Sequence, residues 1–298
     1  MRVAGSSRRG AAPEGAGGTA ASLRLGAESA ALGLPELMLA AERLAASVDP
    51  GAHGLRRAGA GEDFWQYRAA VPGDPAGLID WRRSARSDAA FVRERELQAP
   101  QAAALWVSGA PGMGWSGDPA RPPKCDRGRV LALALGLLML RGGERVGIGA
   151  SPARPGRAQA EALARDLLAA TDELPAPGAL RPHRRVVLVG DFLGDLTGLR
   201  GLLAQAAALG CRGALLQLLD PAEETFPFAG AVRFRGPSGE RHATGNAAAL
   251  RDAYLARLAA RRTELALLAG GAGWQFGTHD TGAAPSAALM WLHGALSP

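Results

Sequence analysis

Residues able to do chemistry are scattered thinly through this chain, with one concentration. Gly112-Met113-Gly114-Trp115-Ser116-Gly117 follows an apolar run and matches G-x-G-x-x-G, the spacing that lets a backbone cradle a pyrophosphate. That mechanism needs the third glycine inside the following helix. Here Pro119, Pro122 and Pro123 intervene, and no acidic residue ends the next strand, where Ala150 and Ser151 stand. The pattern therefore does not predict a nucleotide site. Asp220 and Glu223 are spaced like an acid/base pair, but around Pro221 at a strand end they read as turn and capping groups. His53, His183, His242, His279 and His293 fall in separate elements, and Cys125 and Cys211 fit no zinc or redox spacing. No nucleophile–base arrangement is arguable, so the expectation is a protein that is not an enzyme and carries no cofactor.

The concentration is Gly61 to Leu97. Phe64, Trp65, Tyr67, Trp81 and Phe91 fall in it, although the whole chain has 2 Tyr and 6 Trp. Arg68, Arg82, Arg83, Arg86, Arg93 and Arg95 alternate with Glu62, Asp63, Asp74, Asp80, Asp88, Glu94 and Glu96. Pro72-Gly73-Asp74-Pro75 is a turn signal. Such near-balance argues against phosphate binding. Two readings stand. In one, this is a small β-rich module whose aromatics are core and whose charges pair internally. In the other it also presents a docking face, because Trp, Tyr and Arg dominate binding hot spots. The candidate partner-binding residues are Arg68, Asp74, Asp80, Trp81, Arg82, Arg86, Arg93 and Glu94.

The elements that must position these residues follow from periodicity. Leu34-Pro35-Glu36-Leu37 opens a helix that runs to about Ala46. Ala102 to Val107 is an apolar strand, and Asp126 caps a helix through Arg141. Strand and helix then alternate: Arg145–Ala150, Gln159–Ala170, Arg185–Val189, Thr197–Leu209 and Ala214–Leu219. A short strand at Val232–Phe234, a long helix at Ala247–Leu268, a strand at Gly273–Gly277 and a helix at Pro285–Leu296 complete the chain. Apolar strands alternating with helices predict an α/β, mostly parallel, doubly wound sheet covered on both faces. Ligands of such sheets sit at the carboxyl ends of the strands, near the point where strand order reverses.

Composition sets the outer bounds. The chain has 298 residues, 47% of them hydrophobic, and a formal net charge of +6. Lys124 is its single lysine; arginine supplies the remaining positive charge. Nothing here predicts a nucleic-acid partner. The longest apolar run, Val130 to Leu140, is too short for a bilayer, which takes about 20 residues. The expected location is cytoplasmic.

The pattern G-x-G-E-x-F, R-x-x-x-P-G-D, I-D-W-R-x-S-A-R and V-R-E-x-E resembles the domain-of-unknown-function-58 family. Gly59, Gly61, Glu62, Phe64, Arg68, Pro72, Gly73, Asp74, Ile79, Asp80, Trp81, Arg82, Ser84, Ala85, Arg86, Val92, Arg93, Glu94 and Glu96 carry the match. Val187 to Leu193 is similar to the family's strand end, and Leu219-Asp220-Pro221-Ala222-Glu223 to its D-P-x-E element. Only the first few dozen residues lie outside the resemblance.

The resemblance implies a von Willebrand factor A-like fold and a MoxR-type AAA ATPase as neighbour and partner; because members of the family often carry membrane spans, it leaves work near a membrane open. It also implies a place for a divalent ion, bound in such folds by D-x-S-x-S after the first strand, by a Thr and by a later Asp. This chain departs from that pattern: it reads Ser108-Gly109-Ala110-Pro111-Gly112, and only Asp191 persists. The expectation is therefore a degenerate position at Ser108, Ala110, Gly112 and Asp191 that holds no metal. The expected layout is a basic disordered tail at 1–22, a helix and β-rich module at 23–100, and the A-like domain at 101–298. The expected function is that of an adaptor working with the ATPase in assembly or maturation of protein complexes. The alternative is a divalent-metal-dependent ligand-binding module.

Overall fold

The computed structural model describes residues 35–48, 58–72, 74–86, 89–96, 102–236 and 241–296, with backbone alone for 58–66, 76, 93–96 and 235. The tail expected at 1–22 lies outside the described residues. Helix α1 covers residues 35–46. Strands β1 (Ala58–Ala69) and β2 (Phe91–Glu96) form an antiparallel pair with register shifts between Gly59 and Gln66. Between them stand a 3-10 turn (Ala76–Leu78) and the short helix α2 (Trp81–Ser84).

A five-stranded sheet, parallel throughout, follows. Its order is β4 (Arg145–Ile148), β3 (Ala102–Val107), β5 (Arg185–Gly190), β6 (Arg212–Leu219), β9 (Gln275–Asp280). The apolar runs explain the burial: a strand with side chains on alternate faces must be apolar at every position when both faces are covered. Val187, Val189, Ala214, Leu216 and Leu218 pack on one side with α1, α3 (Lys124–Arg141), α4 (Ala158–Ala169) and α8 (Pro285–Leu296). Val186, Leu188 and Leu215 pack on the other with α5 (Thr197–Ala208), α7 (Arg251–Gly271) and Trp274. This is the doubly wound α/β arrangement that the periodicity predicts. Between β6 and α7 the chain inserts the short helix α6 (Pro221–Thr225) and a hairpin, β7 (Val232–Arg235) with β8 (Arg241–Thr244).

Helix α3 lies close to the sheet because its glycines permit it. A Cβ at Gly128 would meet Val107 Cγ1 at 2.9 Å; one at Gly136 would meet Leu163 Cδ1 at 3.1 Å and Leu105 Cδ1 at 3.4 Å. The sequence reading places the helix cap at Asp126. Instead the helix begins at Lys124, with Pro123 in the cap position and no side-chain cap bond. Proline suits the entry of a helix, where its missing N–H has no partner to lose. Asp126 sits inside the first turn and accepts from Arg129 Nη1 at 3.0 Å. The last strand is also displaced, to Gln275–Asp280, because Gly273 turns the chain at φ 71° and Trp274 enters the core, where its Nε1 donates to Cys211 O at 3.2 Å.

Strand β3 is where the order reverses. The chain leaves β3 for β4 on one side and returns to β5 on the other. The loops that follow β3, β5 and β6, together with the start of α3, therefore gather at the carboxyl end of the sheet.

Candidate functional site

At that carboxyl end stands Lys124, which is 0% exposed. Its Nζ donates to Glu223 Oε1 and Oε2 at 2.7 and 2.8 Å and to Asp191 Oδ2 at 3.2 Å. Transferring an ammonium out of water is costly unless acceptors replace the water, and here two carboxylates do so. The parts arrive by different routes. Lys124 comes from the first residue of α3, pressed onto the sheet by Gly128. Asp191 is the residue after β5, and Glu223 lies in α6 just beyond β6.

The neighbouring carboxylate is held as firmly. Asp220 caps α6: its Oδ1 accepts from Ala222 N at 2.8 Å, and Glu223 Oε2 accepts from Asp220 N at 2.8 Å, completing a capping box. Asp220 Oδ2 accepts from Arg121 Nη1 at 3.0 Å and Thr281 Oγ1 at 3.3 Å. Burial pushes the Asp220 carboxyl up, but hydrogen bonds from Ala222 N, Gly117 N and Arg121 outweigh it and hold the group below its ordinary value. Burial pushes Glu223 above its ordinary value; Lys124 and the Asp220 N–H pull against that, and the Asp191 charge adds to it. Gln217, fully buried, donates from Nε2 to Asp191 O at 2.9 Å and accepts from Arg262 Nε at 3.2 Å.

The residues aligned with a metal position are indeed brought together here. Ser108 is buried, and its Oγ accepts from Ala110 N at 3.2 Å. A Cβ on Gly112 would stand 2.4 Å from Asp191 Oδ2, so the carboxylate fills the space that a serine side chain would need. The lysine ammonium takes the remaining side of Asp191. Among the described residues no group of three or more His, Cys, Asp or Glu is placed to hold a metal ion. The glycine-rich loop is likewise committed: a Cβ at Gly117 would stand 2.7 Å from Asp220 Oδ1. Sequence reasoning missed Lys124. The available signal was that it is the only lysine among many arginines, directly after two prolines.

The aromatic and charged stretch resolves into two groups. Arg68 and Asp74 form a bidentate pair, Nη1–Oδ2 and Nη2–Oδ1 both 2.7 Å, and Val71 N donates to Asp74 Oδ2 at 2.8 Å. The Arg68 hydrogen bonds, and then that N–H, hold Asp74 down to about 2. Asp80 caps α2, its Oδ1 accepting from Arg83 N at 3.0 Å, while its Oδ2 accepts from Tyr67 Oη at 3.0 Å. Ser84 Oγ donates to Asp80 O and accepts from Phe91 N, each at 2.8 Å. Arg83 lies over the Tyr67 ring at 4.3 Å and the Phe91 ring at 5.3 Å. These contacts tie α2 to the strand pair, and Asp80 and Ser84 have structural work to do.

The second group points outward. Trp81 is 63% exposed, and Arg82 and Arg86 are exposed as well. With Tyr67, Asp80, Arg83 and Phe91 these two arginines line a surface cavity of about 430 Å³. Arg93 pairs in register with Tyr67 and Glu94 with Gln66, but their side chains lie outside the described residues.

Comparison with known proteins gives three kinds of match. Uncharacterized proteins of Mycobacterium bovis and Mycobacterium tuberculosis are 29% identical to this chain over 245 residues, covering 72% of this chain and 73% of the relative. Two solved structures align weakly. BatB from Bacteroides thetaiotaomicron, a conserved hypothetical protein, has a TM-score of 0.35 at 11% identity, covering 66% of this chain and 97% of that one. An uncharacterized membrane spanning protein from Vibrio fischeri has a TM-score of 0.20 at 16% identity, covering 67% and 100%. The model of the family described as Protein of unknown function DUF58 matches residues 66–264, which take in both the Arg82–Arg86 cavity and the Lys124 network, and the chain belongs to that family.

Proposed function

We propose that this DUF58 protein is a non-enzymatic interaction protein, an adaptor that acts with a MoxR-type AAA ATPase in the assembly or maturation of protein complexes. One observation carries the reading. The place where a doubly wound sheet receives its ligand is filled from within, by Lys124 held between Asp191 and Glu223. An acid, base or nucleophile needs a free lone pair or proton facing a substrate, and these groups spend theirs on one another. What faces outward instead is α2 and the turn after it, with Trp81, Arg82 and Arg86. The choice of an ATPase as partner comes from the family resemblance. The cytoplasmic location belongs to the same proposal, and the free thiols of Cys125 and Cys211 agree with it.

The test is affinity purification of the tagged chain from its own host, followed by mass spectrometry. An AAA ATPase should co-purify, and Trp81→Ala/Arg82→Ala should weaken that contact while the melting temperature holds. If the double variant retains full partner recovery, the α2 face is not where the partner docks. If wild-type protein recovers no ATPase at all, the adaptor reading fails.

A further inference from the structure

The arginines of the α2 cavity differ sharply in how they are employed. Arg83 is committed: its backbone N–H bonds to Asp80 and its guanidinium lies over two aromatic rings. Asp80, the one acidic residue among the described lining residues, spends both oxygens, on Arg83 N and on Tyr67 Oη. The guanidinium groups of Arg82 and Arg86 have no hydrogen-bond or ion-pair partner among the described residues. Other arginines of this chain are matched to acids, among them Arg68 to Asp74, Arg121 to Asp220, Arg200 to Glu264 and Arg262 to Glu224, whereas these two are not. Two unmatched guanidinium groups therefore flank a cavity whose own carboxylate is already used, with the aromatic edges of Tyr67 and Phe91 inside and exposed Trp81 adjoining Arg82 in sequence.

We infer that this cavity receives an acidic segment of a protein partner, one or two Asp or Glu carboxylates seated on Arg82 and Arg86 with a neighbouring apolar side chain against the aromatic wall. A guanidinium presents a planar fork that matches a carboxylate with two parallel hydrogen bonds. The volume suits a few side chains. A nucleic-acid strand would need a line of cations along a repeating backbone, and here the described cations of the cavity are confined to α2 and the turn after it, beside a carboxylate. This inference rests on the adaptor reading and narrows it to the chemistry of the partner's docking segment.

The probe is a short fluorescein-labelled peptide alternating Glu with Leu, titrated with the full chain and followed by anisotropy. Wild-type protein should bind it, with affinity falling as salt rises, and should not bind the matching Lys–Leu peptide. Arg82→Glu/Arg86→Glu should weaken binding by about tenfold or more. The control Arg165→Glu/Arg257→Glu makes the same change in net charge at two other exposed arginines and should leave binding intact. Should charge reversal lower the melting temperature, Arg82→Gln/Arg86→Gln reads the same contact without it. The inference is overturned if wild-type protein ignores the acidic peptide, if the control weakens binding as much as the cavity variant, or if a single-stranded oligonucleotide displaces the peptide at lower concentration than unlabelled peptide does. Failure here with the ATPase still co-purifying would remove this cavity and leave the adaptor role. Peptide binding without any recovered ATPase would do the reverse.

Discussion

Replacing Lys124 with methionine should cost more stability than any other single charge removal among the described residues. Methionine keeps most of the side-chain volume, so the change isolates the ammonium. It strands Asp191 and Glu223, whose side chains are 7% and 16% exposed, facing each other without the cation that lay between them. Removing one partner of a buried ion pair costs about 3–5 kcal/mol, and the residual exposure of Glu223 puts the expectation near 3. For a chain of this size that is a drop in Tm of about 6–12 °C, readable by calorimetry or circular dichroism. The loss should depend on pH with a definite sign. The Glu223 carboxyl already stands above its ordinary 4.5 in the folded chain, mainly from burial, and losing Lys124 removes what pulls it down. A carboxyl raised in the folded state favours folding at low pH, and that advantage is lost as pH rises from the unfolded value through the folded one. The gap between variant and wild type should therefore narrow as pH falls through the raised folded value of Glu223 and the carboxyl takes up its proton. Lys124→Met/Glu223→Gln should regain roughly half of the loss, since the amide keeps an acceptor for Asp220 N and has no charge to bury. A single-variant loss under about 1 kcal/mol, the scale of an exposed pair, would refute the reasoning, as would strict additivity in the pair of changes.

Other expectations follow from the same geometry. Gly112→Ala puts a Cβ 2.4 Å from Asp191 Oδ2 and must push the carboxylate off Lys124; its cost in Tm should be clearly smaller in a Lys124→Met background than in wild type. Asp74 should titrate near 2 by NMR and return toward 3.8 in Arg68→Gln; stability from this depressed carboxyl is present above its unfolded value and lost as pH falls toward 2. EDTA should leave Tm unchanged, and isothermal titration with Mg²⁺ should find binding no tighter than about millimolar, since Lys124 already neutralises Asp191. A micromolar site abolished by Asp191→Ala would restore the metal-dependent alternative.

What the sequence could reveal was governed by how far apart the interacting residues lie in it. Asp220 and Glu223 read correctly as capping groups because a capping box spans three residues. Helix α8 lies at the expected Pro285–Leu296, where proline marks its entry and a dense apolar run fills it. The α2 stretch stood out by composition, but its division into the internally matched Arg68–Asp74 pair and the unmatched Arg82 and Arg86 depends on which side chains meet. Lys124 was visible only as a compositional oddity. Its partners lie 67 and 99 residues away, beyond the reach of any periodicity or spacing rule. Strand β8 escaped because Arg241 to Thr244 carries no apolar alternation and is largely exposed.

Those same separations bear on the order in which the chain assembles. The Lys124 contacts cannot close until β5 and β6 have both joined β3, so the ammonium meets its carboxylates only after most of the sheet exists. Contacts that form late are weak in the transition state, and losing them speeds unfolding while leaving refolding nearly unchanged. In stopped-flow denaturant jumps Lys124→Met should raise the unfolding limb, with its slope unchanged, and spare the folding limb. The network then acts as a latch on a finished sheet, lengthening the lifetime of the native chain more than it guides the chain there.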